Sequence, residues 1–273
     1  MSDILTRYLE RIGHRHAAPT EAELAALVTK QLAAIPFENL DPLCGVGVAD
    51  LSPDALADKI VDRKRGGFCY ELNGLFRYVL DQLGYDVVGY SGRVVWGDTT
   101  GIAPPRTHYV LQVTVPDTGR MFLVDVGFGT HTPPAPMLFE NDSIVQTPHA
   151  DYHLVEADDE LTLNMQRSSG DKPIYYFDRV VPEEIDLQVG SWYASTYPGF
   201  PFVGTIVAGI VTPTAKWALG GRTLNEYRPG EPVRRTELGS AADVVRVLTE
   251  TFDIDTARIP GLTEHVEAAL ERL

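Results

Sequence analysis

The spacing of apolar residues changes near Gly84, and that change most constrains the fold. Before it, Ile4, Leu5, Tyr8, Leu9 and Ile12 form a stripe at helical spacing over 3–12. Thr20 with Glu23 reads as a capping box opening a second helix to about Ala34. Ser52-Pro53, an N-cap followed by proline at the first helical position, opens a third. A fourth carries Leu72, Leu75, Phe76, Val79, Leu80 and Leu83, and Gly84 stops it. Beyond it, "DVVGYSGRVVW", "RTHYVLQVTV", "RMFLVDVGFG", "DYHLVEA" and "ELTLNMQ" are short, β-branched or aromatic, and divided by turn residues, as in an antiparallel sheet or barrel. "PEEIDLQVGSWYAS" reads as a helix, "GTIVAGIVT" and "AKWALGGRTL" as strands, and a last helix starts at Ser240 with Asp243 three residues on. Helices, then strands, then a mixed end make an α+β chain, not an alternating βαβ one.

With 273 residues the chain can bury a large core without covalent staples. Its two cysteines, Cys44 and Cys69, cannot make a disulfide framework and read as reduced thiols of a cytoplasmic protein. A formal net charge of -15 argues against a nucleic-acid or anionic-membrane partner, because phosphates would be repelled. No apolar run approaches the ~18 residues of a membrane span. The start, "MSDILTRYLERIGHRH", lacks the basic and apolar regions of a secretory signal.

Cys69 follows Gly66-Gly67 and Phe68 in "RGGFCYELNGLF", residues 65–76, at the start of the fourth helix. Unpaired backbone N–H groups and the helix dipole favour a thiolate there. It precedes Leu72 by three residues and Phe76 by seven, so it faces the core side. On position alone it reads equally well as a small apolar filler.

"RTHYVLQVTVPDTGRMFLVDVGFG" reads as a hairpin turning at Pro116-Asp117-Thr118-Gly119. If Val115 faces Arg120, then Val110 faces Asp125 and His108 faces Gly127. His108 and Asp125 become diagonal neighbours on one face, about 7–8 Å apart at the backbone. A slip of one residue would separate them. Asp125 lies within the apolar "FLVDVGF", where a lone buried carboxylate is costly unless a donor meets it. A histidine on the adjoining strand is such a donor. The other histidines (His14, His16, His131, His149, His153 and His265) show no such partner in the sequence, and no set of residues has metal-ligand spacing. The reading is a Cys-His-Asp triad: Cys69 the nucleophile, His108 the base and acid, Asp125 the orienting carboxylate. Such a triad transfers acyl groups, and by itself it does not choose between water and an amine.

"YLERIG", "IPFENLD" at 35–41, "RGGFCYELNGLF", "RTHYVL" at 106–111 and "VDVGFG" at 124–129 occur in this order. With them the chain resembles the bacterial arylamine N-acetyltransferases over essentially its whole length. The resemblance implies a helical bundle over 1–84 with the nucleophile, a central antiparallel β-barrel over 85–190 with the histidine and aspartate, and an α/β lid with its connecting helix over 191–273. These would surround a cysteine-protease-like Cys-His-Asp core. It also implies acetyl-CoA as co-substrate without a metal, and arylamines, arylhydrazines or N-hydroxyarylamines as acceptors. Transfer would run by a ping-pong route through an acetyl-cysteine, in xenobiotic metabolism. The family's triad falls on Cys69, His108 and Asp125. Phe37, Phe128 and Phe202 match positions that line the acceptor pocket, and Thr107 and Gly127 match positions near the thioester. Glu38 and Arg65 match a structural ion pair behind the nucleophile.

One stretch departs from the family. Where an "HPxSPF"-like run is common, this chain has "YPGFPF" at 197–202, so Phe200 replaces a small polar residue and bears on cleft width and acceptor preference. Two other readings stand beside the transferase: a thiol hydrolase or transglutaminase-like enzyme with the same residue order, and a non-catalytic binding protein on the same scaffold. "IPFENL" and the lid-like C-terminal part argue against the first. Basic candidates for the CoA phosphates, Lys64, Arg93, Arg106, Lys216 and Arg234, are too scattered along the chain to choose among.

Overall fold

The structure is a computed structural model and describes residues 3–98, 100–167 and 170–272. The N-terminal part holds α1 (Asp3–Arg11), α2 (Glu21–Ala34), β1 (Phe37–Glu38), α3 (Leu40–Leu43), α4 (Pro53–Ala57) and α5 (Cys69–Leu83). Ser52 caps α4 through Ala55 N–H, but the helix passes at once into a π-helical turn over Asp58–Asp62. Thr20 accepts the Glu23 N–H at 3.2 Å. The Glu23 carboxylate turns to His14 at 2.6 Å instead of back to Thr20, so only half of the expected box forms. Gly84 ends α5 in the left-handed region at φ 94, which glycine adopts at no steric cost.

Eight antiparallel strands follow: β2 (Asp86–Val94), β3 (Arg106–Thr114), β4 (Met121–Val124), β5 (Met137–Leu138), β6 (Ser143–Val145), β7 (Tyr152–Ala157), β8 (Glu160–Arg167) and β9 (Gly170–Asp178). They order as β5-β4-β3-β2-β9-β8-β7-β6. Ser143 Oγ reaches the Leu138 carbonyl at 2.7 Å across the two edges, which nearly closes the sheet into a barrel. The β3–β4 hairpin has the expected register: Leu111 faces Val124, and Val115 N–H donates to Arg120 O at 2.9 Å. The ladder ends at Val124, one residue before Asp125. Helix α6 (Glu184–Thr196) runs through residue 190 and leads to α7 (Pro201–Gly204).

The C-terminal part contains β10 (Val207–Val211), β11 (Lys216–Gly220), β12 (Thr223–Tyr227), β13 (Arg234–Glu237), α8 (Ala241–Glu250) and α9 (Leu262–Leu270). Its sheet runs β1-β10-β11-β12-β13, so "IPFENLD" lends the first strand to a sheet built mostly from the other end of the chain. Helices α8 and α9 cover it, burying Val244, Leu248, Phe252 and Val266 against Ile206, Leu219 and, from α3, Leu40 and Leu43. Two expectations are corrected. "AKWALGGRTL" is a hairpin of β11 and β12, turning at Gly221 with φ 55. The helix from Ser240 is not the last, because α9 follows it.

Candidate active site

Buried charges clamp the loop that presents Cys69. Arg65 reaches Glu38 at 2.8 Å and Asp41 at 2.8 Å. Lys59 reaches Asp41 at 2.7 Å and Glu71 at 2.6 Å. Glu71 also accepts the Phe68 N–H at 3.1 Å, tying the cluster to the first turn of α5. Burial alone would raise Asp41, but Lys59 and Arg65 lower it to about 2. Removing one partner from such a buried set costs about 3–5 kcal/mol, because an uncompensated charge stays behind. Gly66 in the same loop cannot be larger: a Cβ there would stand 2.0 Å from Pro36 O.

Cys69 is the first residue of α5, is buried, and its thiol donates to Thr107 O at 3.4 Å. His108, next on β3, places Nε2 2.8 Å from Asp125 Oδ2. Burial alone would lower His108, but the charge and hydrogen bond of Asp125, with the Cys69 side chain, raise it to about 10. Burial alone would raise Asp125. His108, the Asn73 amide and the Gly127 N–H together hold it below the ordinary carboxylate value.

Asn73 is a residue that sequence reasoning missed. Its Nδ2 donates to Asp125 Oδ1 at 2.9 Å and to Tyr109 O at 2.7 Å, while its Oδ1 accepts the Val126 N–H at 2.9 Å. The signal was available, since Asn73 lies four residues after Cys69 and so on the same helix face. Tyr175 is a second such residue, with its ring 4.5 Å from that of His108. Its hydroxyl is buried without a well-formed hydrogen bond among the described residues. Nothing in the local sequence marks it.

A cavity of about 650 Å³ opens beside Cys69 and His108. Phe37, Thr107, Gly127, Phe128 and Phe202 all line it, so the structure brings every expected site residue to one place. Phe200 lines it too, its ring 4.9 Å from that of Phe202. Phe128 meets the His108 ring edge-on at 5.0 Å. Gly127 is there because the chain passes so close: a Cβ would lie 2.6 Å from Cys69 Cα.

The expectation that no other histidine has a carboxylate partner is overturned. His14 sits 2.6 Å from Glu23 and His153 2.6 Å from Asp171. Neither lines the cavity. Among the described residues no group of three or more His, Cys, Asp or Glu could hold a metal ion, and no helix is long and apolar enough to cross a membrane.

A thiol beside an imidazole that is itself held by a buried carboxylate can carry an acyl group as a thioester. That chemistry defines a class of acyl-transferring thiol enzymes, and comparison with known proteins narrows it. A family model described as N-acetyltransferase matches residues 21–259. The arylamine N-acetyltransferase of Mycobacterium tuberculosis is 46% identical over 257 residues, covering 93% of this chain and 90% of that protein. The solved M. smegmatis arylamine N-acetyltransferase superposes with a TM-score of 0.94 at 42% identity, covering 99% of this chain and 100% of that one. The Mycobacterium marinum arylamine N-acetyltransferase, solved in complex with CoA, gives 0.93 at 43% identity over 98% of each chain. The chain belongs to the arylamine N-acetyltransferase family and is an acyltransferase.

Proposed function

We propose that this enzyme moves the acetyl group of acetyl-CoA to an aromatic amine or hydrazine in two half-reactions that share Cys69. The observation that carries the reading is the placement of His108 between the Cys69 side chain and the Asp125 carboxylate. The attacking form is the Cys69 thiolate, with the imidazolium of His108 beside it as counter-charge. The sulfur attacks the thioester carbonyl, and N–H groups at the start of α5, including that of Cys69, stabilise the oxyanion. The tetrahedral species collapses, the C–S bond to CoA breaks, and the CoA sulfur leaves with the proton of His108. The amine then attacks acetyl-Cys69, His108 takes its proton, and the thiolate is expelled.

The CoA-bound M. marinum relative supports the choice of donor. The aromatic walls of the cavity, Phe37, Phe128, Phe200 and Phe202, support a flat, apolar acceptor. Asp125 orients His108, and Thr107 and Gly127 shape the space around the thioester. The free thiols of Cys44 and Cys69 suit a cytoplasmic setting. The test is incubation with acetyl-CoA and no acceptor, followed by peptide mass spectrometry. One acetyl group on the peptide holding Cys69, none on that holding Cys44, and parallel double-reciprocal lines are expected. Intersecting lines with no adduct would instead mean direct transfer in a ternary complex.

A further inference from the structure

The strand that carries His108 is irregular where it passes Cys69. Between β2 and β3, Gly92 faces His108 and Arg93 faces Arg106, so Thr107 faces no residue of β2. A bulge of this kind bends its strand and re-aims the neighbouring side chain, here that of His108. Strand β4 gives this stretch no support, because its ladder with β3 reaches only from Leu111 to Thr114. Side chains of α5 meet it instead. The Cys69 thiol donates to Thr107 O at 3.4 Å, the Tyr70 hydroxyl to Arg106 O at 3.0 Å, and Asn73 Nδ2 to Tyr109 O at 2.7 Å. A thiolate has no proton to donate, so the first of these bonds is lost when Cys69 ionises. Tyr70 then holds the near side of the bulge without it.

The pose of Tyr70 is closely determined. The residue is 1% exposed, and its ring stacks on that of Tyr109 at 6.2 Å with the planes 6° apart. The Phe68 ring meets it edge-on, also at 6.2 Å. Helix α6 leaves just enough room for the hydroxyl: a Cβ at Gly190 would stand 2.2 Å from it. Burial, with the charge of Cys69, raises the phenol above its ordinary value, so the hydroxyl keeps its proton and stays a donor. Tyr70 does not line the cavity beside Cys69 and His108.

We infer that Tyr70 is a positioning residue for the transfer reaction: by holding the Arg106 carbonyl it fixes the bulge at Thr107, and with it the direction in which His108 is presented to Cys69. The inference rests on Cys69 and His108 acting as proposed above. It explains why a phenol, and not merely an aromatic filler, follows the nucleophile. The bond from Arg77 to the Tyr109 hydroxyl, 3.2 Å long, lies beyond the bulge and braces only the stack.

Tyr70→Phe keeps the ring and removes the bond to Arg106 O. The readouts are the pH midpoint of Cys69 alkylation by iodoacetamide, single-turnover release of CoA from acetyl-CoA, CoA affinity by calorimetry, and thermal melting. With His108 less well aimed, the thiolate loses part of its counter-charge, so the alkylation midpoint should move to higher pH. Single-turnover release should slow about ten- to a hundredfold, while CoA affinity stays as in the parent. Tyr109→Phe is the comparison: it should lower the melting temperature without moving the midpoint. Gly190→Ala pushes the Tyr70 hydroxyl off its acceptor from the α6 side, should shift the midpoint the same way, and decides the test if Tyr70→Phe does not fold. An unshifted midpoint in folded Tyr70→Phe, or an equal shift in Tyr109→Phe, would overturn the role of Tyr70 alone. Failure of the unaltered enzyme to acetylate Cys69 would overturn it together with the proposed function.

Discussion

Gly127→Ala isolates how much depends on the close passage of the chain beside Cys69. Gly127 does not lie in the left-handed region, so alanine can adopt its backbone and the only new effect is contact. The added Cβ would lie 2.6 Å from Cys69 Cα, 2.7 Å from Asn73 Nδ2 and 3.2 Å from Cys69 Cβ. Carbon atoms prefer about 3.5–4.0 Å, so one partner must retreat by about 1 Å. The nearest partner is backbone, which no rotamer change can relieve. Overpacking of this kind costs about 1–3 kcal/mol, or about 2–12 °C in melting temperature for a chain of this size. The kinetic cost should be larger in proportion. A shift of about 1 Å between reacting groups can cost about 100-fold, and the Gly127 N–H also holds Asp125 at 2.8 Å. The assay is single-turnover release of CoA from acetyl-CoA, beside thermal melting, with Gly204→Ala as control because a Cβ there meets nothing within 4 Å. A Gly127→Ala enzyme that melts and acetylates like the parent would refute the close approach and the placement of Asp125 that depends on it.

Asp125→Asn should lower turnover by several orders of magnitude, because the amide can present its NH₂ to His108 and favour the wrong tautomer; near-normal rates in a folded variant would exclude Asp125 from the mechanism. Asn73→Ala strips a donor from Asp125 and leaves the Val126 N–H and Tyr109 C=O buried without that partner, at about 1–3 kcal/mol each, so chemical denaturation should reveal a loss of several kcal/mol. With His108 raised to about 10 against an unfolded value near 6.5, its contribution to stability is fully present below about pH 6.5 and is lost as pH rises through about 10. The acetylation rate should fall over the same alkaline range, and Asp125→Asn should move that fall to lower pH, which a pH series on both proteins would detect.

The hairpin that joins His108 to Asp125 was legible because a four-residue turn and strict alternation fix its register over a short span. The place of Cys69 at the start of α5 was legible because Gly66-Gly67 precede it and an apolar helical stripe follows. Asn73 shares a helix face with Cys69, but its partners, the Asp125 carboxylate, the Tyr109 carbonyl and the Val126 N–H, are brought near it only by the assembled fold. Strand β9 was obscured by its polar start and by Pro173, and β13 by four exposed residues with no alternation. The partner of His153 was missed for a related reason. Asp171 belongs to β9, two strands away from β7 in the sheet, and that adjacency follows from strand order and not from local pattern.

Strand β1 has a consequence for how the protein is made. Phe37 pairs with Gly209, contributed about 170 residues later, and beside it the Glu38 N–H donates to the Gly67 carbonyl at 2.9 Å. A ribosome adding about 5–20 residues per second delivers β10 on the order of ten seconds or more after Phe37. During that interval the nascent chain comes to contain Cys69, while β1 has no β10 to pair with. Shortened products that stop before Val207 would carry the whole Cys69, His108 and Asp125 set and still lack the far side of the cavity. The wall opposite β1 therefore forms only when the segment from Val207 onward docks onto a strand synthesised about 170 residues earlier.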